Sequence, residues 1–228
     1  MAQPQASSAP QKWYLYTMLK TTKRFFCLEG IDGSGKSTQL DLLKSALEEK
    51  GFSCLKIREP GGVEISERIR ALLLDPTFKG RMSDKAELLL YNAARAQLIH
   101  EVIEPALLQG KVVLADRFSW STYAYQGFGR SLGAEEVQHL TEITCGGYLP
   151  ELTLVMDIEV ARGRARMEKR GGEPDRLEQE KADFFERVRE GYLDASKKYP
   201  EAVVAIDADR SVDDIQKEVL ALVLSRLA

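Results

Sequence analysis

The sequence predicts an α/β fold of three layers, in which a five-stranded parallel sheet lies between two layers of helices. Two observations support it: five short apolar segments recur along the chain, and segments with helical periodicity separate them. Continuous apolar runs are typical of parallel strands covered on both faces, and alternating strands and helices favour right-handed crossovers. The five segments are FFCLEG (25–30), CLKIRE (54–59), VVLADR (112–117), LTLVMDI (152–158) and VVAIDA (203–208).

Helical periodicity and end signals define the helices between these strands. The first helix is predicted to begin at a glycine-rich turn and to end near Gly51, since glycine is a common helix stop. A long apolar-periodic stretch occupies residues 83–110, and Pro105 is a point at which this helix can bend. The last helix opens with Ser211 and Asp214 in the spacing of a capping box.

Composition limits the classes of protein that the chain can belong to. Its 228 residues, 44% of them hydrophobic, are enough for one well-buried domain and few for two. The net charge of −3 does not favour a protein that coats nucleic acid or an anionic membrane. Cys27, Cys54 and Cys145 form no C-x-x-C motif, so we expect reduced thiols and a cytoplasmic location. The longest apolar runs are too short to span a membrane.

The first 24 residues have a composition unlike the rest of the chain. They are rich in Gln, Ser, Ala and Pro and lack the apolar core of a secretory signal. We expect residues 1–24 to form a flexible N-terminal tail and residues 25–228 to form a single domain. Met18 lies shortly before the first predicted strand, so a native start at this residue is an open alternative.

A glycine-rich segment, EGIDGSGKST, contains the last two residues of the first apolar run and continues to Thr38. It matches the pattern G-x-x-x-x-G-K-[ST] of a phosphate-binding loop, with a strand before it and a helix after it. Its glycines let backbone N–H groups wrap a phosphate, and the helix N-terminus adds partial positive charge. The residues assigned to the nucleoside triphosphate are Gly30, Ile31, Asp32, Gly33, Ser34, Gly35, Lys36 and Ser37. Lys36 is expected to reach the β- and γ-phosphates, and Ser37 to bind Mg²⁺, as in the P-loop NTPase fold.

Asp116 ends the third apolar segment, where a carboxylate can hold Mg²⁺ or its water ligands beside a phosphate loop. The alternative is a salt bridge between Asp116 and Arg117 at the strand end. The segment that follows, FSWSTYAYQGFGR, is rich in hydroxyls and aromatic rings for a connector. It suggests that a second ligand binds here.

Residues 162–176 are predicted to form a lid. Arg162, Arg166 and Arg170 share one face of a helix, and Gly171, Gly172 and Pro174 interrupt it. A basic lid with a glycine hinge could bring charge to a transferring phosphate only when substrates are bound. A solvated basic helix is the alternative. The basic residues of the segment are Arg162, Arg164, Arg166, Lys169, Arg170 and Arg176.

Taken together, these segments resemble the thymidylate kinase family of nucleoside monophosphate kinases over about residues 24–227. The motifs are EGIDGSGKST, REPGG (58–62), LLLYNAAR (88–95), DRFSWSTYAYQG (116–127) and DRLEQE (175–180). The first motif occurs in many NTPases, whereas the second, fourth and fifth together are specific. The resemblance implies transfer of the γ-phosphoryl group of ATP to dTMP with Mg²⁺, giving dTDP and ADP. This reaction is a step in dTTP synthesis, and family members are typically homodimers.

The resemblance also implies which residues bind dTMP. Asp32 would face the deoxyribose 3′-hydroxyl, while Arg70 and Arg117 would bind the phosphate. Tyr91 occupies a position where the family usually has Phe, and would stack on thymine, and Arg95 would hydrogen-bond the base. The residues that would line the rest of this pocket are Ser121, Thr122 and Gln126. These choices suit the ligand, since a planar base packs on an aromatic face and a phosphate binds arginine forks.

Catalysis of this reaction requires positioning and charge neutralisation and no general base, because the acceptor phosphate is already an anion. Lys36 and Arg117 are the candidate catalytic cations beside the two phosphates. Some family members carry a further arginine in the phosphate loop, and bacterial-like members supply it from the lid. The loop here has no arginine, so the lid should supply it. Arg166 and Arg170 are both candidates, and we favour Arg170.

Two other functions fit parts of the pattern. A related kinase could act on another nucleotide or on a deoxynucleoside, but the latter would need a base near the 5′-hydroxyl, where Arg70 and Arg117 are expected. A nucleotide-dependent switch is a different class of protein. Guanine-specific switches carry an N-K-x-D motif that is absent here, and a switch does not need a second aromatic pocket.

Overall fold

The computed structural model describes residues 21–171 and 173–227, apart from the side chains of Thr21 and Arg170. Five parallel strands in these residues form one sheet in the order β2-β3-β1-β4-β5. The strands are β1 (Thr21–Glu29), β2 (Cys54–Arg58), β3 (Val112–Asp116), β4 (Leu149–Asp157) and β5 (Val203–Asp207). The predicted fold class is confirmed, and each predicted apolar segment contains most of one strand.

Helices connect successive strands and lie on both faces of the sheet. The α-helices are α1 (Lys36–Glu49), α2 (Glu64–Leu74), α3 (Asp84–Leu98), α4 (Glu104–Leu108), α5 (Ser119–Thr122), α6 (Ala134–Cys145), α7 (Val160–Arg170), α8 (Ala182–Lys198) and α9 (Val212–Leu227). Other helical turns are a 3₁₀ turn (Pro76–Phe78) and two π-helical turns (Ile99–Ile103 and Tyr123–Gly129).

Strand β1 supplies buried side chains to both faces of the sheet. Phe26 and Leu28 belong to one apolar cluster together with Leu43 of α1. Phe25 and Cys27 belong to a second cluster, which contains the end of α3 and the π-helical turn after it. Successive residues of a strand point to opposite faces, so a strand buried on both sides is apolar throughout. The central position of β1 carries the glycine-rich loop to the middle of the carboxyl edge of the sheet.

Strand β1 begins earlier than predicted. It starts at Thr21, inside the segment assigned to the flexible tail, and Thr21 and Thr22 pair with Leu149 and Pro150 of β4. Backbone hydrogen bonds between strands do not require apolar side chains, so hydrophobic pattern alone misses such an extension. Residues 1–20 of the predicted tail lie outside the described residues.

Two local helix signals have their expected effects. The stretch 83–110 is interrupted before Pro105, because α3 gives way to a π-helical turn that α4 follows. Proline lacks the N–H that would continue the hydrogen-bond ladder. At the start of α9 the Ser211 hydroxyl accepts a hydrogen bond from the Asp214 N–H at 3.2 Å and donates one to the Asp214 carboxylate at 2.7 Å.

The described residues show the state of the cysteines and the length and apolar character of the helices. All three cysteines are free thiols, and burial raises the pKa of Cys27 and Cys145. Of the helices that the described residues form, none has both the length and the apolar character required to cross a bilayer.

Candidate active site

The glycine-rich loop lies between the end of β1 and the start of α1, as the motif predicts. Gly33 and Gly35 have φ angles of +80° and +91°, a region that residues with a Cβ rarely adopt. A Cβ on Gly33 would lie 2.2 Å from the carbonyl oxygen of Gly163, and a Cβ on Gly163 would lie 2.8 Å from that of Asp32. Helix α7 therefore packs directly on the loop, backbone against backbone.

Lys36 is held within this loop. Its Nζ donates hydrogen bonds to the carbonyl oxygens of Gly30 at 3.0 Å and of Ile31 at 2.9 Å. Burial, together with the positive charge of Arg117, lowers the pKa of Lys36 to about 8. An anionic ligand would favour the charged form, so Lys36 has the electrostatic character of a phosphate-binding residue.

Ser37 and Asp116 meet at the carboxyl edge of the sheet. Strand β3 pairs with β1 and brings Asp116 opposite Leu28, and the Ser37 hydroxyl donates a hydrogen bond to Asp116 Oδ2 at 2.7 Å. Among the described residues no group of three or more His, Cys, Asp or Glu side chains could hold a metal by itself. The two hard oxygen donors suit Mg²⁺, which in nucleotide sites takes few protein ligands and several from phosphates and water.

Arg117 connects the glycine-rich loop to the neighbouring cavity. Its φ of +70° is unusual for a residue other than glycine and turns the chain directly after β3. Nη2 donates to Asp32 Oδ1 at 2.6 Å, Nη1 donates to the Gly30 carbonyl at 2.9 Å, and the guanidinium lies over the ring of Tyr125. Burial acts to lower the pKa of Arg117, but the charge of Asp32 outweighs it and the pKa is raised. Arg117 is therefore a fixed positive charge.

A cavity of about 200 Å³ opens beside Arg117. Its wall contains all eight residues that the resemblance assigns to dTMP: Asp32, Arg70, Tyr91, Arg95, Arg117, Ser121, Thr122 and Gln126. They come from the loop after β1, from α2 and α3, and from the segment after β3. Tyr125 also lines the cavity and was not among the predicted residues. The cavity lies next to the glycine-rich loop, because Asp32 belongs to both and Arg117 of the cavity wall hydrogen-bonds to Gly30 of the loop.

The two other predicted arginines in this wall differ in how they are held. Arg95 is buried and makes hydrogen bonds to the Glu59 carboxylate (2.7 to 3.0 Å) and to the Thr122 hydroxyl (2.8 Å). Burial lowers the pKa of Arg95, but the Glu59 carboxylate outweighs this and raises it overall. Arg70 is less constrained, since its Nη1 donates to a neutral carbonyl, that of Pro60, at 2.9 Å, whereas Arg95 is paired with a carboxylate. Arg95 thus has a fixed direction, whereas Arg70 can turn towards an anion.

Helix α7 contains most of the predicted lid. Arg162 forms an ion pair with Asp209. Arg166 lies 3.6 Å from Asp209 and 3.4 Å from the carbonyl oxygens of Ala208 and Gly33, so it reaches the phosphate loop. Arg170 is the last residue of α7, and its side chain lies outside the described residues. The first two arginines share a face, as their spacing predicts.

Arg176, at the end of the predicted lid, has a different environment from Arg162 and Arg166. Arg176 is 3% exposed, and its Nη1 lies 2.6 Å from Glu87 Oε2 of α3. Its Nε donates to the Leu73 carbonyl at 2.6 Å. Arg176 is therefore part of the protein interior. Sequence pattern did not separate it from the exposed arginines, because burial of a charge depends on a partner that is distant in the chain.

Glu29 organises the cavity and was missed by the sequence analysis. This fully buried carboxylate ends β1 and accepts hydrogen bonds from the Phe118 N–H (2.7 Å), the Ser121 N–H (2.9 Å) and hydroxyl (2.6 Å), and the Tyr192 hydroxyl (2.8 Å). It thereby orients the segment that carries Arg117. A charge at the end of the apolar run FFCL, directly before the glycine-rich loop, is the signal that could have identified it.

Comparison with known proteins agrees with this geometry. A model of the family described as thymidylate kinase matches residues 28–219. The chain is 48% identical over 204 residues to the thymidylate kinase of Geobacillus thermodenitrificans, with 89% of this chain and 90% of that protein covered. It is 46% identical over 196 residues to that of Syntrophotalea carbinolica, with 84% and 90% covered. The crystal structure of thymidylate kinase from Ehrlichia chaffeensis matches with a TM-score of 0.69 at 30% identity, covering 88% of this chain and 97% of that one. The chain therefore belongs to the thymidylate kinase family, whose members are phosphotransferases.

Proposed function

We propose that the chain binds ATP on its glycine-rich loop and dTMP in the adjacent cavity. As a member of the thymidylate kinase family, it phosphorylates dTMP to dTDP with ATP as donor, a step that leads to dTTP. The observation that carries the assignment of sites is the cavity, which gathers all eight residues expected to bind dTMP. Of these, Asp32 belongs to the loop and Arg117 hydrogen-bonds to it. Two anions bound at these sites would meet at Arg117.

The residues suit the two halves of the acceptor. Arg70 and Arg117 provide guanidinium groups for the phosphate, and Arg117 is held by Asp32 at 2.6 Å. Tyr91 offers an aromatic ring to the base, and Arg95 and Gln126 offer polar groups around its edge. Asp32 could accept a hydrogen bond from the 3′-hydroxyl of the sugar. The contacts thus favour a nucleoside monophosphate with a planar base as acceptor.

The chain contributes to catalysis mainly through charge and position. Lys36 would bind the β- and γ-phosphates of ATP, and Arg117 would hold the acceptor phosphate. Ser37 and Asp116 would hold Mg²⁺, which when bound neutralises charge on the β- and γ-phosphates. Arg170 would supply the remaining positive charge from α7. Arg166 is the alternative, since it lies 3.4 Å from the Gly33 carbonyl of the loop and 3.6 Å from Asp209.

Homodimer formation and a cytoplasmic location complete the proposal. Ile65 of α2 and Leu89 of α3 are 51% and 57% exposed, and apolar side chains of this size are typical of subunit interfaces when they cluster. Light scattering of the purified protein would give a mass of twice 25.6 kDa for a dimer. The free thiols agree with a reducing compartment.

The decisive experiment is an ADP-release assay with ATP and Mg²⁺ against dTMP, dUMP, dCMP, dAMP, dGMP and thymidine. The proposal expects the highest kcat/KM for dTMP. A higher value for thymidine would refute the phosphate-binding role of the cavity, and a higher value for another monophosphate would refute the assignment of the base.

A matched pair of variants tests the phosphate site directly. Arg70→Ala removes an arginine of the cavity wall and should raise KM for dTMP. Arg68→Ala removes an arginine two residues away whose side chain is 80% exposed, and should leave KM unchanged. Equal effects of the two substitutions would contradict the assignment.

A further inference from the structure

A buried carboxylate, Glu87, lies behind the base side of the cavity. It is 1% exposed and lies one helical turn before Tyr91 on α3. Gln126 Nε2 donates to Glu87 Oε1 at 2.8 Å. Arg130 donates to both carboxylate oxygens, from Nε at 3.1 Å and from Nη2 at 3.0 Å, and Arg176 Nη1 lies 2.6 Å from Oε2. Glu87 thus joins a wall residue of the cavity to the buried Arg176 and the partly buried Arg130.

These arginines keep Glu87 in its ionised form. Burial acts to raise the pKa of Glu87, but the hydrogen bonds and charge of Arg130 outweigh it, with help from Gln126 and Arg176, so the pKa lies below its ordinary value. An ionised carboxylate has acceptor atoms only. Gln126 must therefore turn its NH₂ group towards Glu87.

This arrangement decides what Gln126 can offer to a ligand. One N–H of Nε2 is engaged by Glu87, which fixes the amide with its nitrogen on the Glu87 side, so Oε1 is the acceptor that it can offer to the cavity, beside the second N–H of Nε2. Thymine and uracil carry an N–H donor at N3, whereas cytosine has an acceptor there. An amide that was free to rotate could serve either kind of base. An amide held by an ionised carboxylate cannot exchange the positions of its oxygen and nitrogen, so a base whose N3 faces Oε1 must carry the N–H donor.

We propose that Glu87 is a positioning residue that sets base specificity, by holding the Gln126 amide so that its oxygen faces a base with an N3–H donor. This inference rests on the proposed function, because it requires the base to bind beside Gln126. Arg130 donates to both oxygens of Glu87 and is sufficient to hold it, and it does not need to contact the ligand.

The test compares two variants that differ only in the Glu87 carboxylate. Arg176→Gln removes the buried arginine but leaves Arg130 to hold Glu87. The double variant E87Q/R176Q removes the carboxylate as well, and Arg130 keeps an ion pair with Glu180 at 2.6 Å. Each variant therefore keeps the buried charges paired. The single variant E87Q is measured too, so that the result does not depend on one protein folding.

The quantity measured is the ratio of kcat/KM for dTMP to that for dCMP, with KM for ATP and thermal unfolding as controls. R176Q should keep the wild-type ratio within about twofold, while E87Q/R176Q and E87Q should lower it by about tenfold or more, with most of the loss in KM. An unchanged ratio in the variants that lack Glu87, or an equal drop in R176Q, would overturn the inference. Failure of the proposed function would look different, because the wild-type enzyme would then not phosphorylate dTMP.

Discussion

Lys36 should make ATP binding strongly dependent on pH. In the ligand-free protein its ammonium group is buried among backbone carbonyls, and burial and the charge of Arg117 lower its pKa to about 8. The phosphates of ATP would favour the charged form and raise this pKa on binding. Binding therefore requires the protonated form of Lys36, and near pH 8 part of the free protein carries Lys36 without its proton.

The size of the effect follows from the pKa. With a value of about 8, the charged fraction of Lys36 falls from about nine-tenths near pH 7 to about one-tenth near pH 9. Because only the charged form is competent, the apparent Kd for ATP should rise roughly tenfold over this interval. At about pH 8, binding should take up about half a proton.

The same shift has a consequence for stability. The pKa in the folded protein lies below the reference value of 10.5, so the folded chain binds fewer protons than the unfolded chain between about pH 8 and pH 10.5. The contribution of Lys36 to the free energy of unfolding therefore increases as the pH rises through this window.

Isothermal titration calorimetry tests the argument, with each pH measured in two buffers of different ionisation enthalpy. Lys36→Arg should abolish the proton uptake, since guanidinium groups do not titrate in this range. Lys44→Arg, a substitution of an exposed lysine on α1, should leave it unchanged. An affinity for ATP that is flat across this range, without proton uptake, would refute the reasoning from burial.

Three further predictions concern the glycine-rich loop, the arginines of the predicted lid and Glu29. Gly163→Ala would place a Cβ 2.8 Å from the Asp32 carbonyl oxygen of the glycine-rich loop. We therefore expect kcat/KM for ATP to fall about tenfold or more. Wild-type kinetics in this variant would contradict the close packing of α7 on the loop. Arg170→Ala should lower kcat by roughly 10³-fold and Arg166→Ala by much less, so the reverse order in steady-state assays would reassign the catalytic arginine. Glu29→Gln has too few acceptor sites for the four groups that donate to Glu29. Urea denaturation should therefore show that the free energy of unfolding falls by about 1–3 kcal/mol. dTMP should also bind more weakly, because Ser121 loses its partner. A free energy of unfolding equal to that of the wild type would show that the Glu29 carboxylate is not needed for stability.

Local patterns in the sequence were enough to predict the fold class, which is confirmed, and to propose a site for the triphosphate. A strand covered on both faces has to be apolar throughout, and a backbone that wraps a phosphate needs glycine at positive φ, so both features are visible in short segments. The five strands, the glycine-rich loop and its contact with Asp116 follow these patterns. The dTMP residues came from the resemblance to a family, and the cavity brings them together.

Tertiary structure decided which charges are buried and which groups they hold. Arg166 and Arg176 lie in one basic segment of the sequence, yet the first is partly exposed at the phosphate loop and the second is buried against Glu87. Glu29 likewise finds its partners only because β1 lies beside β3 in the sheet. A buried charge is tolerated only where distant residues supply its hydrogen bonds. The sequence alone thus predicted a phosphate site at the glycine-rich loop, and the packing of distant segments determined which side chains line the neighbouring cavity.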